Sequence, residues 1–105
     1  ESDWKKFAAL KREALQRYCT RVLDEVRTSI DRDDASPHER YLEVFQLIKD
    51  ADKRLIGLFD DHSRSKAPMQ FLMLRWSGLV GPDDFDGFSA DFLEHTAPPD
   101  DEAQD

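Results

Sequence analysis

The sequence contains very little cysteine and no long hydrophobic run, and both absences limit what the chain can be. A single cysteine, Cys19, occurs among the 105 residues, so an internal disulfide is impossible and a disulfide-stapled secreted scaffold is excluded. No apolar stretch approaches the roughly 20 residues that a membrane-spanning helix needs. We therefore expect a cytoplasmic chain that does not enter a membrane.

Basic residues are absent from the last part of the sequence. From Gly81 to Asp105 there are nine acidic residues and no lysine or arginine, whereas the part before Gly81 holds all 15 basic residues and the other 14 acidic ones. An acidic chain repels phosphate, which argues against nucleic-acid binding, although an acidic segment can also mimic a nucleic acid. We expect residues 1–96 to form one helical domain and residues 97–105 to form a disordered acidic tail.

The residue patterns of common catalytic and metal sites are also missing. The chain has no Glu-x-x-His motif, which excludes a ferritin-like diiron bundle. His38 and His62 fall at opposite ends of one predicted helix and cannot share a metal ion within the chain. Cys19 lies on the apolar side of a predicted helix without a neighbouring histidine, which favours a core residue over a nucleophile. We therefore predict no metal site and no cofactor.

The sequence does contain strong helical periodicity. From Trp4 to Ile30, apolar residues recur at steps of three and four, which predicts a long amphipathic helix with Asp3 as its N-cap. The segment Ser36-Pro37-His38-Glu39 combines an N-cap serine, a proline at the first helical position and a glutamate three residues after the cap. It predicts a second helix running to about His62. The short connection predicts that the two helices form an antiparallel hairpin.

A third helix is predicted between Ala67-Pro68 and Gly81-Pro82, and it is apolar almost all round. Ser89 is placed to cap a short final helix. The predicted fold class is all-α: a small helical bundle made of a long antiparallel helix hairpin, a third apolar helix and a short C-terminal helical element.

This third helix supplies the predicted interface. One of its flanks can pack on the hairpin, which leaves Phe71 and Leu74 open to water, with Gly78 allowing close approach of a second backbone. Exposed apolar patches usually mark interfaces, so we predict a homodimer or a helical protein partner. The alternative is that the segment carrying Phe85 and Phe92 folds over this flank.

Asp52 is the most unusual polar residue, because it falls within the apolar arc of the second helix. A buried carboxylate needs a partner, and Lys11 and Arg75 are the candidates for a buried polar pair that fixes the register between helices. We predict a non-enzymatic protein-interaction or regulatory helical module. The alternatives are a small enzyme with Asp52 as an acid in a pocket between helices, and an acidic nucleic-acid mimic.

Overall fold

A computed structural model describes residues 2–60 and 63–98, and it is built from helices. These are α1 (Ser2–Ile30), α2 (Pro37–Phe59), α3 (Ala67–Trp76) and α4 (Ala90–His95), with a 3-10 turn at Pro82–Asp84. The predicted all-α fold is confirmed. In this described part of the chain, no helix is both long enough and apolar enough to cross a bilayer. His62 lies outside the described residues, and so does the expected disordered tail from residue 99 onward.

The turn between α1 and α2 is fixed by the predicted capping box. The Glu39 amide donates to the Ser36 hydroxyl at 3.1 Å, and the Ser36 amide donates to the Glu39 carboxylate at 2.8 Å. Near this turn the Ser29 hydroxyl donates to Glu43, and farther away the Tyr18 hydroxyl donates to the carbonyl oxygen of Ala51. Late residues of α1 therefore meet early residues of α2, as an antiparallel hairpin requires.

Gly78 ends α3 earlier than predicted. Its φ of +79° lies in the left-handed region that favours glycine. The amides of Gly78 and Leu79 donate to the carbonyl oxygens of Arg75 and Leu74, each at 3.1 Å, which is the paired hydrogen-bond pattern of a Schellman motif. The prediction of one helix continuing to Val80 is therefore wrong, and Gly78 terminates the helix.

The hydrophobic core surrounds Phe71, whose side chain is fully buried. Four aromatic rings lie within 5.9 Å of the Phe71 ring, measured between centroids; they belong to Phe7, Phe85, Phe88 and Phe92. The full set of buried apolar residues is Phe7, Leu10, Ala14, Tyr18, Ala51, Ala67, Phe71, Leu74, Leu79 and Val80. Because α1 contributes only positions up to Tyr18 and α2 only Ala51, the core lies at the end of the hairpin away from the turn.

Polar contacts hold the C-terminal segment onto this core. Arg75 donates to the carbonyl oxygen of Leu93 at 2.7 Å and to the Thr96 hydroxyl at 3.0 Å, and its guanidinium lies 4.5 Å from the centroid of the Phe85 ring. Ser89, which caps α4 as predicted, donates its amide and its hydroxyl to Asp3. These two hydrogen bonds lower the pKa of Asp3. Asp3 therefore lies inside α1 and positions α4, and its predicted role as an N-cap is wrong.

An ion pair joins the 3-10 turn to α1. The Arg17 guanidinium donates to both carboxylate oxygens of Asp84, at 2.9 and 3.0 Å, and also to the carbonyl oxygen of Leu79. The Asp84 carboxylate in turn accepts a hydrogen bond from the Gly81 amide. The hydrogen bond from Arg17 is the main reason that the pKa of Asp84 is lowered.

Candidate interaction surface

The predicted interface on α3 is covered by the chain itself. Phe71 and Leu74 are both 0% exposed, because the Phe-rich segment after Gly81 folds over that flank. The opposite flank of α3, which was expected to dock on the hairpin, instead exposes Met69, Met73 and Trp76. The expectation that Phe71, Leu74 and Gly78 form an open interface is therefore wrong. Covering Phe71 with three further phenylalanine rings removes more apolar surface from water than leaving that flank open.

The three residues of the predicted buried polar pair do not come together. Lys11 is buried, but its ammonium donates to the Gln70 side chain at 3.0 Å, and Arg75 is engaged with the C-terminal segment. Asp52 is exposed. The prediction of Asp52 as a buried register residue is therefore wrong. Its side of α2 lies beside the contact with α1 and opens to solvent, and within residues 2–60 and 63–98 no third element covers it.

An open apolar groove runs along the hairpin, and we call it the hairpin groove. The residues that line it are Tyr18, Cys19, Val22, Leu23, Ile30, Pro37, Arg40, Tyr41, Val44, Phe45, Ile48, Ala51, Asp52 and Leu55. Three large side chains in it are strongly exposed: Tyr41 at 67%, Phe45 at 58% and Ile48 at 42%. The turn end of the hairpin thus presents two apolar helix faces side by side to the solvent.

Helix α2 is the main source of this exposed surface. It has 23 residues, yet among them only Ala51 is buried. A helix of this length is normally stabilised by packing an apolar face against its neighbours. Here α1 contacts α2 around Ala51, while Leu42, Phe45 and Ile56 are each about half exposed. Among residues 2–60 and 63–98, the packing of α2 is therefore incomplete.

The spacing of apolar residues in α2 carries a signal for this groove that the sequence reasoning missed. Tyr41, Phe45, Ile48, Asp52, Leu55 and Phe59 follow one another at alternating steps of four and three. That is the heptad spacing of a helix seam. The predicted hairpin does not separate this seam from the side of α2 that packs on α1, whereas in the structure the seam lies beside that contact. Only its last two members, Leu55 and Phe59, pack against the core.

The hairpin groove brings together few groups that could perform chemistry. Cys19, which is half-buried, and Asp52 both line it, and the Tyr18 hydroxyl is engaged by Ala51. A thiol and a carboxylate without an adjacent base do not form an activated nucleophile. Within the described ranges, no group of three or more His, Cys, Asp or Glu side chains is arranged to hold a metal ion. The remaining lining of the groove is largely apolar.

A second apolar surface lies where α2 meets the end of α3. It is lined by Arg54, Gly57, Leu58, Met73, Trp76 and Ser77. Trp76 is 53% exposed, so this surface is also open to solvent.

Comparisons of the chain with protein-family models, with characterised proteins and with solved structures found no match.

Proposed function

We propose that this chain is a protein-interaction module whose hairpin groove binds an apolar helix face, supplied by a second copy or by another protein. The observation that carries the proposal is the incomplete packing of α2, which has one buried residue and a row of exposed large side chains. Contiguous apolar patches on protein surfaces usually mark interaction sites. In helical bundles several helices pack around one apolar core, so a two-helix hairpin with an open seam offers a further helix such a core.

The energetic argument rests on the exposed side chains. Fully burying a side chain such as Phe or Ile contributes about 1.5–3 kcal/mol. Tyr41, Phe45 and Ile48 are each about half exposed, so covering them with a partner contributes a few kcal/mol in total before the cost of association. The half-exposed Leu23 and Ile30 on α1 enlarge the same surface. The groove is therefore large enough to bind a helix with measurable affinity.

The acidic segment has an accessory place in this proposal. Its described acidic residues, such as Asp84 and Asp86, lie at the core end of the molecule and do not line the hairpin groove. We assign the segment a solubilising or electrostatic role. The alternative of a nucleic-acid mimic depends on the nine acids after Gly81, of which Asp100, Asp101, Glu102 and Asp105 lie outside the described residues.

The test compares two glutamate substitutions on α2. Phe45→Glu places a charge in the groove, whereas Lys53→Glu is the matched control on an exposed position outside it. Both variants should keep the helical content of the parent chain by circular dichroism. We expect Phe45→Glu to abolish self-association, measured by sedimentation, or to lose specific proteins captured from cell extract that Lys53→Glu retains. If both variants match the parent in both measurements, the groove is not a binding surface and the proposal is wrong.

A further inference from the structure

The seam of α2 has a polar residue at its centre, and this restricts what can bind there. In the heptad pattern Phe45, Asp52 and Phe59 occupy one core position, and Tyr41, Ile48 and Leu55 occupy the other. A single polar residue at a core position of a helix seam selects partners that can satisfy it and fixes their register. A fully apolar helix would leave the Asp52 carboxylate buried without a partner, which is costly. The occupant must therefore bring a cation to the level of Asp52.

The same helix carries such a cation beside its own seam. Lys49 is exposed at the outer edge of the seam, one helical turn before Asp52. Within the described residues neither Lys49 nor Asp52 takes part in an ion pair. If two α2 helices run antiparallel about a two-fold axis at the level of Asp50, each Lys49 lies within one residue of the level of the other copy's Asp52. Two positive and two negative charges then gather around the axis and balance.

The apolar members of the seam match under the same two-fold axis. Phe45 comes opposite Leu55 of the other copy, whose side chain lines the hairpin groove, so an aromatic ring meets an apolar side chain at this level. The charged pair thus has one apolar layer on either side. A two-fold contact uses one patch twice and therefore needs no second complementary surface on the molecule.

The patch is large enough for a weak dimer. Its exposed large side chains are Leu23, Ile30, Tyr41, Phe45 and Ile48, each between 42% and 67% exposed. An aromatic side chain can bury about 150–250 Å² and an aliphatic one less, so half of five such side chains amounts to on the order of 450 Å² per copy. Two copies together would bury about 900 Å², which is the size of a weak or transient contact.

From these observations we infer that the occupant of the hairpin groove is a second copy of this chain, paired antiparallel along α2 with Lys49 of each copy beside Asp52 of the other. This inference rests on the proposed function and names its partner. It assigns Asp52 the register role expected from the sequence, but between two chains rather than within one. The pairing also covers the groove that Cys19 lines.

The test is a charge exchange, read by sedimentation equilibrium from 1 to 200 micromolar. The parent chain should dimerise, and Lys49→Glu and Asp52→Lys should each weaken the dimer at least tenfold, because each places like charges around the axis. The double variant Lys49→Glu/Asp52→Lys should recover most of the affinity. The control Lys53→Glu should dimerise like the parent. A parent chain that remains monomeric throughout, or a double variant no tighter than either single variant, overturns the inference.

A second readout uses the single cysteine as a native reporter. The reaction of Cys19 with a thiol reagent should slow as the parent concentration rises through the dimer range, and should stay constant for Lys49→Glu. If the parent chain dimerises but Cys19 reacts at a constant rate, the dimer contact does not cover the hairpin groove, and the inference is also overturned. If the parent chain is monomeric but captures other proteins that Phe45→Glu does not capture, the second copy is refuted as the occupant and the proposed function still stands. If the parent chain is monomeric and Phe45→Glu captures the same proteins as the parent, both the inference and the proposed function are refuted.

Discussion

Replacing Phe71 with alanine should remove the centre of the hydrophobic core. The side chain is fully buried and its ring lies against four other aromatic rings, with centroid distances of 5.0 to 5.9 Å. Truncating a buried phenylalanine to alanine costs about 3–5 kcal/mol, and the rings left around the cavity also lose their edge and stacking contacts. Since a domain of this size is stable by only about 5–15 kcal/mol, the variant should be close to unfolding at 37 °C.

The measurement is urea unfolding followed by circular dichroism, at a concentration low enough to exclude association. Phe45→Ala is the matched control, because the same substitution is made on the same kind of side chain in an exposed position. It should change the unfolding free energy by no more than about 0.5 kcal/mol. Phe71→Leu should fall between the two, since it keeps most of the volume but loses the ring contacts. If Phe71→Ala costs less than about 1 kcal/mol, the C-terminal segment does not cover α3 as described.

Three further predictions concern the contacts around this core. Arg75→Met should lower stability by about 1–3 kcal/mol and increase amide exchange in α4, measured by hydrogen exchange, because the Thr96 hydroxyl and Leu93 carbonyl lose their donor; unchanged exchange would contradict the role of Arg75. The pKa of Asp84 is lowered by Arg17, so its stabilisation is complete above the unfolded value of about 3.9 and is lost as the pH falls through the lower folded value. Asp84→Asn should therefore destabilise the protein at pH 7 and flatten the acid limb of a plot of stability against pH, whereas the exposed Asp83→Asn should not. Ending the chain after Thr96 should leave the melting temperature nearly unchanged, whereas ending it after Gly81 should lower it strongly by uncovering Phe71.

The helix ends that depend on neighbouring residues could be predicted from the sequence better than the contacts between distant residues. The capping box at Ser36 and the cap at Ser89 depend only on residues three positions away, so their pattern predicts the helix starts directly. The end of α3 has a local signal too, because a glycine just after a helix commonly terminates it, and Gly78 followed by the apolar Leu79 fits that pattern. Gly81-Pro82 is a stronger stop signal three residues later, so the sequence predicts a longer helix than the structure has.

The orientation of α3 could not be read in this way. Both of its flanks are apolar, so periodicity does not say which one faces the core. The choice depends on residues such as Phe88 and Phe92, which are distant in sequence and join the helix only in the folded chain. For Asp52 the sequence placed the residue correctly among apolar neighbours. A place in an apolar arc does not decide burial, because this arc is wider than the contact with α1 and Asp52 lies on the part that faces solvent.

The aromatic cluster around Phe71 also has a consequence for synthesis of the chain. Phe71 is translated before every ring that covers it on the C-terminal side, and 21 residues separate it from Phe92. At about 5–20 residues per second, ribosomes need roughly one to four seconds to make that interval. Until Phe92 has been added, the C-terminal segment cannot cover the flank of α3 that carries Phe71 and Leu74. Closure of the core therefore has to wait for synthesis of this segment, and the protein cannot complete its fold before that.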